Sequence, residues 1–564
     1  MVVAGIFAQG GARAVLPGWN HASPECGIDS LAVGRATTIR RGAVALVATQ
    51  LACSNAGVLQ LDSGERGAGT GTGSAGSATE ATSDTGTGPV GSGDETGTGG
   101  GGPTSECGEA PGMGTVHYVF PNGDDDAGDG SARAPWATIG YAVTQVADGA
   151  LIEVAPGEYD GAIVLDGQFD EGIVVRAAMP YRAHLRHSGT VVTVATAKGI
   201  TLEGFDITHD GASSEPFVVH IYDGIGPLGG DDFPTCITVR DNIIHDSYND
   251  DLLRVSTATS AITVEGNMFY NQGAGSEQVD VNAASDVTIR GNVFFNDFEG
   301  SGRTNEQDTT SFVVVKDADG SADGIEGASG VTIDGNVFLS WQGTNATGYV
   351  LLAEDDTSFH EARDVLVQNN LMVMNGSDVM RAPFGSKSAA DVVFRSNTVV
   401  GDAMASAFAF RLNVEGDSPP NEGIEFYNNV WSSPGAAMTD LTDTEVTSPL
   451  EDFVIDTNLY FNGGQAIPVD GTDVVNVDAD LNAVLGDPQI AETAVNNPLW
   501  DAESNTFGGG AERISEVLAG LVARHGTPSE GGAGVGVALA AQLPEYDILG
   551  RVRAGTDLGA LAAQ

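Results

Sequence analysis

One short phrase recurs down the second half of the chain and constrains its fold more than any other feature. It reads ITVRDNI from Ile237, ITVEGNM from Ile262, VTIRGNV from Val287, VTIDGNV from Val331 and VLVQNNL from Val365. It continues as VVFRSNT from Val392, IEFYNNV from Ile424 and FVIDTNL from Phe453. An asparagine closes each bend: Asn242, Asn267, Asn292, Asn336, Asn370, Asn397, Asn429 and Asn458. A β-branched strand, a tight bend and a second strand therefore return at uneven intervals of about 25 to 44 residues, the range in which repeat architectures occur. Asparagine tolerates the left-handed backbone of a sharp bend, and stacked asparagines can hydrogen-bond from one repeat to the next. These features predict an all-β chain, a right-handed parallel β-helix with an asparagine ladder on an inner corner. Each coil of such a solenoid buries its apolar face by stacking on its neighbours.

The rest of the chain is organised around that unit. Residues 1–53 hold an upstream segment and a signal-like stretch: Arg40 and Arg41, the apolar run GAVALVATQLA, then Cys53. A cysteine closing such a run resembles a bacterial lipoprotein signal, which implies a secreted or cell-surface protein with a membrane tether through lipidated Cys53. Ordinary signal cleavage and no cleavage are the alternatives. Residues 54–113 are rich in Gly, Ser and Thr and read as a flexible linker that cannot build a core. Residues 114–564 form the expected β-helix domain. Within it, PWATIGYAVTQVADGA reads as a helix and resembles the N-terminal cap of secreted β-helix proteins; a cap is needed because a bare solenoid end exposes apolar surface and unpaired strands. AERISEVLAGLVAR reads as a C-terminal helix. Cys107 and Cys236 could pair after export, a pairing that sequence alone leaves open.

The formal net charge is −53, spread along the chain without a basic stripe, which excludes a nucleic-acid partner and favours divalent cations. A monomer is expected.

Each coil also needs a first strand, placed after the longer and more variable loop: VVHIYD, LLRVS, QVDVN, FVVVKD, VLLAED, VMRAP and FAFRLN. With the aliphatic residues turned inward, the outward column is expected to hold His220, Arg254, Asp280, Lys316, Glu354 (or Asp355), Arg381 and Arg411. One reading is a solvated ladder of weak ion pairs. Against it, long loops such as EGSGRTNEQDTTS flank this strand, and long loops often carry function. Lysine is otherwise confined to Lys198 and Lys387, so its choice at position 316 is pointed: lysine can act as a base when its pKa falls, arginine cannot. Carboxylates cluster just upstream at Asp250, Asp251, Glu277 and Asp280.

These residues resemble those of parallel β-helix polysaccharide lyases, in particular the family 9 pectate lyases. The resemblance implies Lys316 as catalytic base and a Ca2+ site from Asp251, Glu277 and Asp280, with Asp250 beside them. It further implies that Arg254, Glu354, Arg381, Arg411 and His220 contact an acidic polysaccharide. The family carries an adjacent Asp pair where this chain has Ser276 and Glu277. The expected activity is β-elimination on a uronic-acid polymer. The alternatives are a non-catalytic carbohydrate-binding or adhesin-like β-helix, and a glycoside hydrolase or uronate epimerase on the same scaffold.

Overall fold

A computed structural model describes Cys107 and residues 114–563, apart from 212–215, 223–232, 304–308, 318–323, 344–346, 377, 415, 445–449, 451 and 492–493. The signal-like segment with Cys53 and the linker other than Cys107 lie outside the described residues.

The domain is a right-handed parallel β-helix. Three parallel sheets of 12, 10 and 12 strands run the length of the stack, each coil adding one strand to each. The Asn phrase supplies the second and third strands of a coil, in continuous register: Ile237 on Ile262 on Val287, and later Val365 on Val392 on Ile424. Alternate residues of these strands turn inward, and aromatic rings stack from coil to coil, Phe269 on Phe294 at 5.1 Å and Phe294 on Phe338 at 4.8 Å.

The eight bend asparagines are fully buried and form one unbroken ladder. In each rung the side-chain Oδ1 accepts both the backbone N–H and the Nδ2–H of the asparagine one coil earlier. Asn242 donates to Asn267 at 2.9 and 3.1 Å, and the pattern holds to Asn429, which donates to Asn458 at 2.9 Å in both bonds. The Nδ2 also reaches a strand carbonyl, as from Asn336 to Ile289. Asp480 ends the ladder, accepting from Asn458 and from the Tyr460 hydroxyl. The left-handed residue of each bend is the one before the asparagine: Asp241, Gly266, Gly291, Gly335, Asn369, Ser396, Asn428 and Thr457, with φ between 53° and 67°. The ladder asparagine is thus selected for its side-chain bonds rather than for its backbone.

At the N-terminal end the short helix Ile139–Gln145, capped by Thr138, buries Ile139, Ala142 and Val143 against the first coils. The C-terminal segment does something the sequence does not announce. Helix Ile514–His525 lays Ile514, Val517, Leu518, Leu521 and Val522 on the outward face of the third-strand sheet. There Ile243, Met268, Val293, Val337 and Leu371 form a second apolar core outside the coil. Farther along, Trp500 and Phe507 pack on Tyr181. Cys107 and Cys236 are joined in a disulfide, so the pairing left open by the sequence is made. Among the described residues no helix is long and apolar enough to cross a membrane.

At the corner leaving the third strand, His245 lies between two carboxylates, with Asp206 and Asp246 each 2.9 Å from a ring nitrogen. Burial alone would push its pKa down; the two carboxylates outweigh that and raise it from 6.5 to about 10. The stabilisation is therefore complete below pH 6.5 and is lost as pH rises through about 10.

Two outcomes follow. Asn336→Ala removes four buried side-chain hydrogen bonds, two accepted from Asn292 and one each donated to Ile289 and Asn370, and should lower the unfolding free energy by about 3 kcal/mol or more in chemical denaturation; a loss below about 1 kcal/mol contradicts the ladder's role. The stability difference between wild type and His245→Gln should be largest near pH 6 and shrink towards pH 10 in thermal melts. A pH-independent difference contradicts the ion-paired imidazolium.

Candidate functional site

The first strands form the 10-stranded sheet, and its register decides which charged residues meet. His220 faces Arg254, and Arg254 faces Asp280, as expected. Above Asp280 the column changes character: Asp280 faces Val314, then come Leu351 and Gly385 before Arg411 and Asp443. Lys316 occupies the next outward position along its strand, opposite Asn282. The expected continuous charged stripe is therefore corrected to two acidic and basic ends separated by an apolar floor. The reason lies in the inward set. Val313 and Val315 stack on Val279 and Val281, which gives the slot beside Asp280 to Val314 and moves Lys316 one outward step on. Arg381 is likewise corrected. The strand of its coil is Phe384–Ser386, with Phe384 inward on Val350, and Arg381 lies exposed in the preceding loop.

Asp251, Glu277 and Asp280 do converge. Each offers an oxygen within 4.8 Å of the others, and all three are buried. Asp251 and Glu277 leave the corners just ahead of successive first strands, where the Glu277 N–H donates to Asp251 Oδ1 at 3.0 Å. The Thr310 hydroxyl donates to Glu277 Oε1. Asp280 projects from the strand itself. It ion-pairs with Arg254 at 3.0 Å, yet neither of its oxygens accepts a well-aligned hydrogen bond. Asp250 lies outside this group of three; Ser276 Oγ donates to its carboxylate and Gly273 N–H to its carbonyl, both at 2.9 Å. Burial, followed by the neighbouring acids, raises the pKa of Asp251 well above the ordinary range. Burial and Asp280 raise that of Glu277 to about 7. Burial also raises that of Asp280, against the pull of Arg254 and Lys316.

Lys316 stands at the lip of this cluster with its side chain turned away from the hydrophobic interior and 12% exposed. Its Nζ donates to Glu354 at 2.8 Å and lies 4.0 Å from Asp355. Burial would lower its pKa, but Asp280, Glu277 and Glu354 prevail and hold it well above the usual lysine value. In this state the group is an ammonium. Glu354 and Asp355 are set by a residue that sequence reasoning missed. Buried Glu361 accepts the N–H groups of Asp317, Glu354 and Asp355 and the Thr357 hydroxyl. It belongs to no sequence motif; only the fold brings it under that turn.

The other expected contacts are already engaged. Arg254 serves Asp251 and Asp280 and covers the Phe217 ring at 5.2 Å. Arg411 pairs with Asp443 at 3.0 Å. His220 meets Ser256 Oγ at 2.9 Å and stacks on Tyr222 at 4.3 Å; burial and Arg254 lower its pKa to about 3, so it is neutral.

The arrangement offers three hard oxygen donors, buried and poorly compensated, beside one largely buried amine at their lip. Such donors suit calcium, magnesium or manganese rather than zinc or copper.

Comparison with known proteins gives no matching family model and no matching curated protein. Solved structures of similar coil architecture include pectate lyase Pel9A (14% identity, TM-score 0.47, covering 80% of this chain and 98% of that one). A mannuronic acid specific family 6 polysaccharide lyase from human gut microbiota is similar at 13% identity and TM-score 0.43, over 65% and 79% of the two chains. PfbA, a surface adhesin of Streptococcus pneumoniae, is similar at 13% identity and TM-score 0.35, over 59% and 78%. At these levels the likeness does not extend to chemistry.

Because the folded pKa of Glu277 exceeds its ordinary 4.5, the cluster weighs against folding as pH rises from 4.5 through about 7. In metal-free buffer, Glu277→Gln should make that decline shallower in a series of thermal melts, while Asp251 and Asp280 keep their own share of it; an unchanged slope contradicts the buried, mutually repelling carboxylates.

Proposed function

We propose that this chain is a calcium-dependent polysaccharide lyase that cleaves a uronic-acid polymer by β-elimination. The observation that carries the reading is Asp280, a fully buried carboxylate whose two oxygens lack hydrogen bonds and which shares a 4.8 Å cluster with Asp251 and Glu277. Burying charge without compensation is costly, and Arg254 with Lys316, itself paired to Glu354, does not balance three acids. A divalent cation fits that deficit, with Asp251, Glu277 and Asp280 as its protein ligands. When bound, it would withdraw charge from a substrate carboxylate and so acidify the neighbouring C5 proton.

The chain's own residues do the rest. Compensating Glu277 and Asp280 removes two of the three attractions that hold Lys316 protonated, and Arg254 on the far side of the cluster disfavours a second positive charge. Lys316 then takes the C5 proton as general base. The released electron pair forms the C4–C5 double bond, the C4–O bond to the next sugar breaks, and the leaving oxygen takes a proton from solvent. Glu354, hydrogen-bonded to Lys316, accepts the proton on its way out. Arg411 and the loop residue Arg381 are candidates for carboxylates of further sugar units, Arg411 after exchanging Asp443 for substrate. The Cys107–Cys236 disulfide supports residence in an oxidising compartment, secreted or on the outer surface.

A second reading has its own support. The Lys316–Glu354 pair at 2.8 Å is what a static binding surface would keep, and it favours a carbohydrate-binding or adhesin-like protein without turnover.

The test is incubation with pectate, alginate and glycosaminoglycans while following ultraviolet-absorbing unsaturated product. The expected result is product with at least one polymer, abolished by chelation and reduced at least about 100-fold in Lys316→Ala, with unaltered circular dichroism. Binding without unsaturated product would support the adhesin reading, and full activity in Lys316→Ala would overturn the assigned base.

A further inference from the structure

Two of the three carboxylates of the candidate site lie on corners, the parts of a β-helix least constrained by strand pairing. Asp250 and Asp251 end the corner that begins at Asp246; Glu277 ends the next, which begins at Asn271. Something must hold those two corners at fixed spacing if two carboxylates are to converge against their own repulsion.

Arg303 meets that need. Its side chain is 2% exposed, and the guanidinium is clasped between the rings of Tyr248 at 4.7 Å and Phe298 at 5.4 Å. It donates to the Asp246 carboxylate at 3.2 Å and to the Ser247 carbonyl on the first corner. On the second it donates to the carbonyls of Asn271 at 2.6 Å and Gln272 at 3.3 Å. One planar fork thus ties two consecutive corners at their starts, four to six residues before Asp251 and Glu277. A lysine has neither the donors nor the geometry to make all four bonds. The corners also touch directly: a Cβ on Gly273 would lie 2.5 Å from the Asn249 carbonyl carbon, so only glycine permits this approach.

We propose that Arg303 is a positioning residue for the candidate calcium site, clamping the two corners so that the carboxylates of Asp251 and Glu277 meet that of Asp280. The proposal rests on the calcium reading above and adds a residue that contacts neither cation nor substrate. Outer residues of this kind commonly change metal affinity about 10- to 100-fold.

The experiment is calorimetric titration of calcium into the full chain as wild type, Asp280→Asn, Arg303→Lys, Gly273→Ala and Arg553→Lys, each with a thermal melt. Arg553 is the control for general loosening, because it makes a comparable set of bonds to Asn369, Gly559 and Ala560 far from the cluster. The expected result is calcium binding in wild type, lost in Asp280→Asn and at least about tenfold weaker in Arg303→Lys and Gly273→Ala. Arg553→Lys should keep wild-type affinity even where its melting temperature falls. Wild-type affinity in Arg303→Lys, or an equal loss in Arg553→Lys, overturns the clamp and leaves the calcium site standing. Should Arg303→Lys not fold, Gly273→Ala decides on the same criterion. No binding in wild type, or full binding in Asp280→Asn, removes the calcium site and the clamp with it.

Discussion

The coil-to-coil register is the constraint on which everything else depends. Parallel pairing sets successive strands about 4.8 Å apart, and the asparagine ladder fixes where each coil bends. Once those are set, residues 25 to 44 positions apart become vertical neighbours whatever the loops between them do. That is how a chain with modest local charge density gathers Asp251, Glu277 and Asp280 within one hydration shell. It is also why the cluster can persist against its own repulsion. The acids sit on a frame whose stability comes from stacked aliphatic and aromatic columns, and three buried carboxylates tax that frame without dictating it.

The frame was legible because it repeats. Eight copies of one phrase identify the second and third strands and the bend between them, and the structure has both strands and the buried asparagine in every copy. The finer assignment of the bend was not legible. The left-handed position precedes the asparagine, and it is filled by Asp, Gly, Asn, Ser or Thr, a mixture with no single signature. The first strands lack a repeated phrase, and alternation alone does not fix their register. Turning the aliphatic residues inward leaves both Val314 and Lys316 on the outward face, and the stacking of Val313 on Val279 and Val315 on Val281 is what puts Val314 opposite Asp280. In the same way Phe384, stacked inward on Val350, fixes where its strand begins and leaves Arg381 in the loop before it.

Long-range placement escaped the sequence altogether. The periodicity of AERISEVLAGLVAR shows an apolar stripe but not what it covers. Only the outward row Met268, Val293, Val337 and Leu371 shows that the third-strand sheet has two apolar faces, one inside the coil and one beneath the helix. Glu361 and Arg303 are similar cases. Each is a single charged residue that no motif marks, and each matters because of the backbone groups it gathers from other parts of the coil stack.

The central claim is electrostatic: three buried acids, one arginine and one lip lysine make an assembly short of positive charge, and a divalent cation completes it. The most direct measurement is a crystal structure of the full chain grown with calcium. The account predicts a calcium ion bound by oxygens of Asp251, Glu277 and Asp280 at about 2.3–2.6 Å. A cluster left without metal under those conditions, or calcium held only elsewhere on this acidic surface, would contradict it.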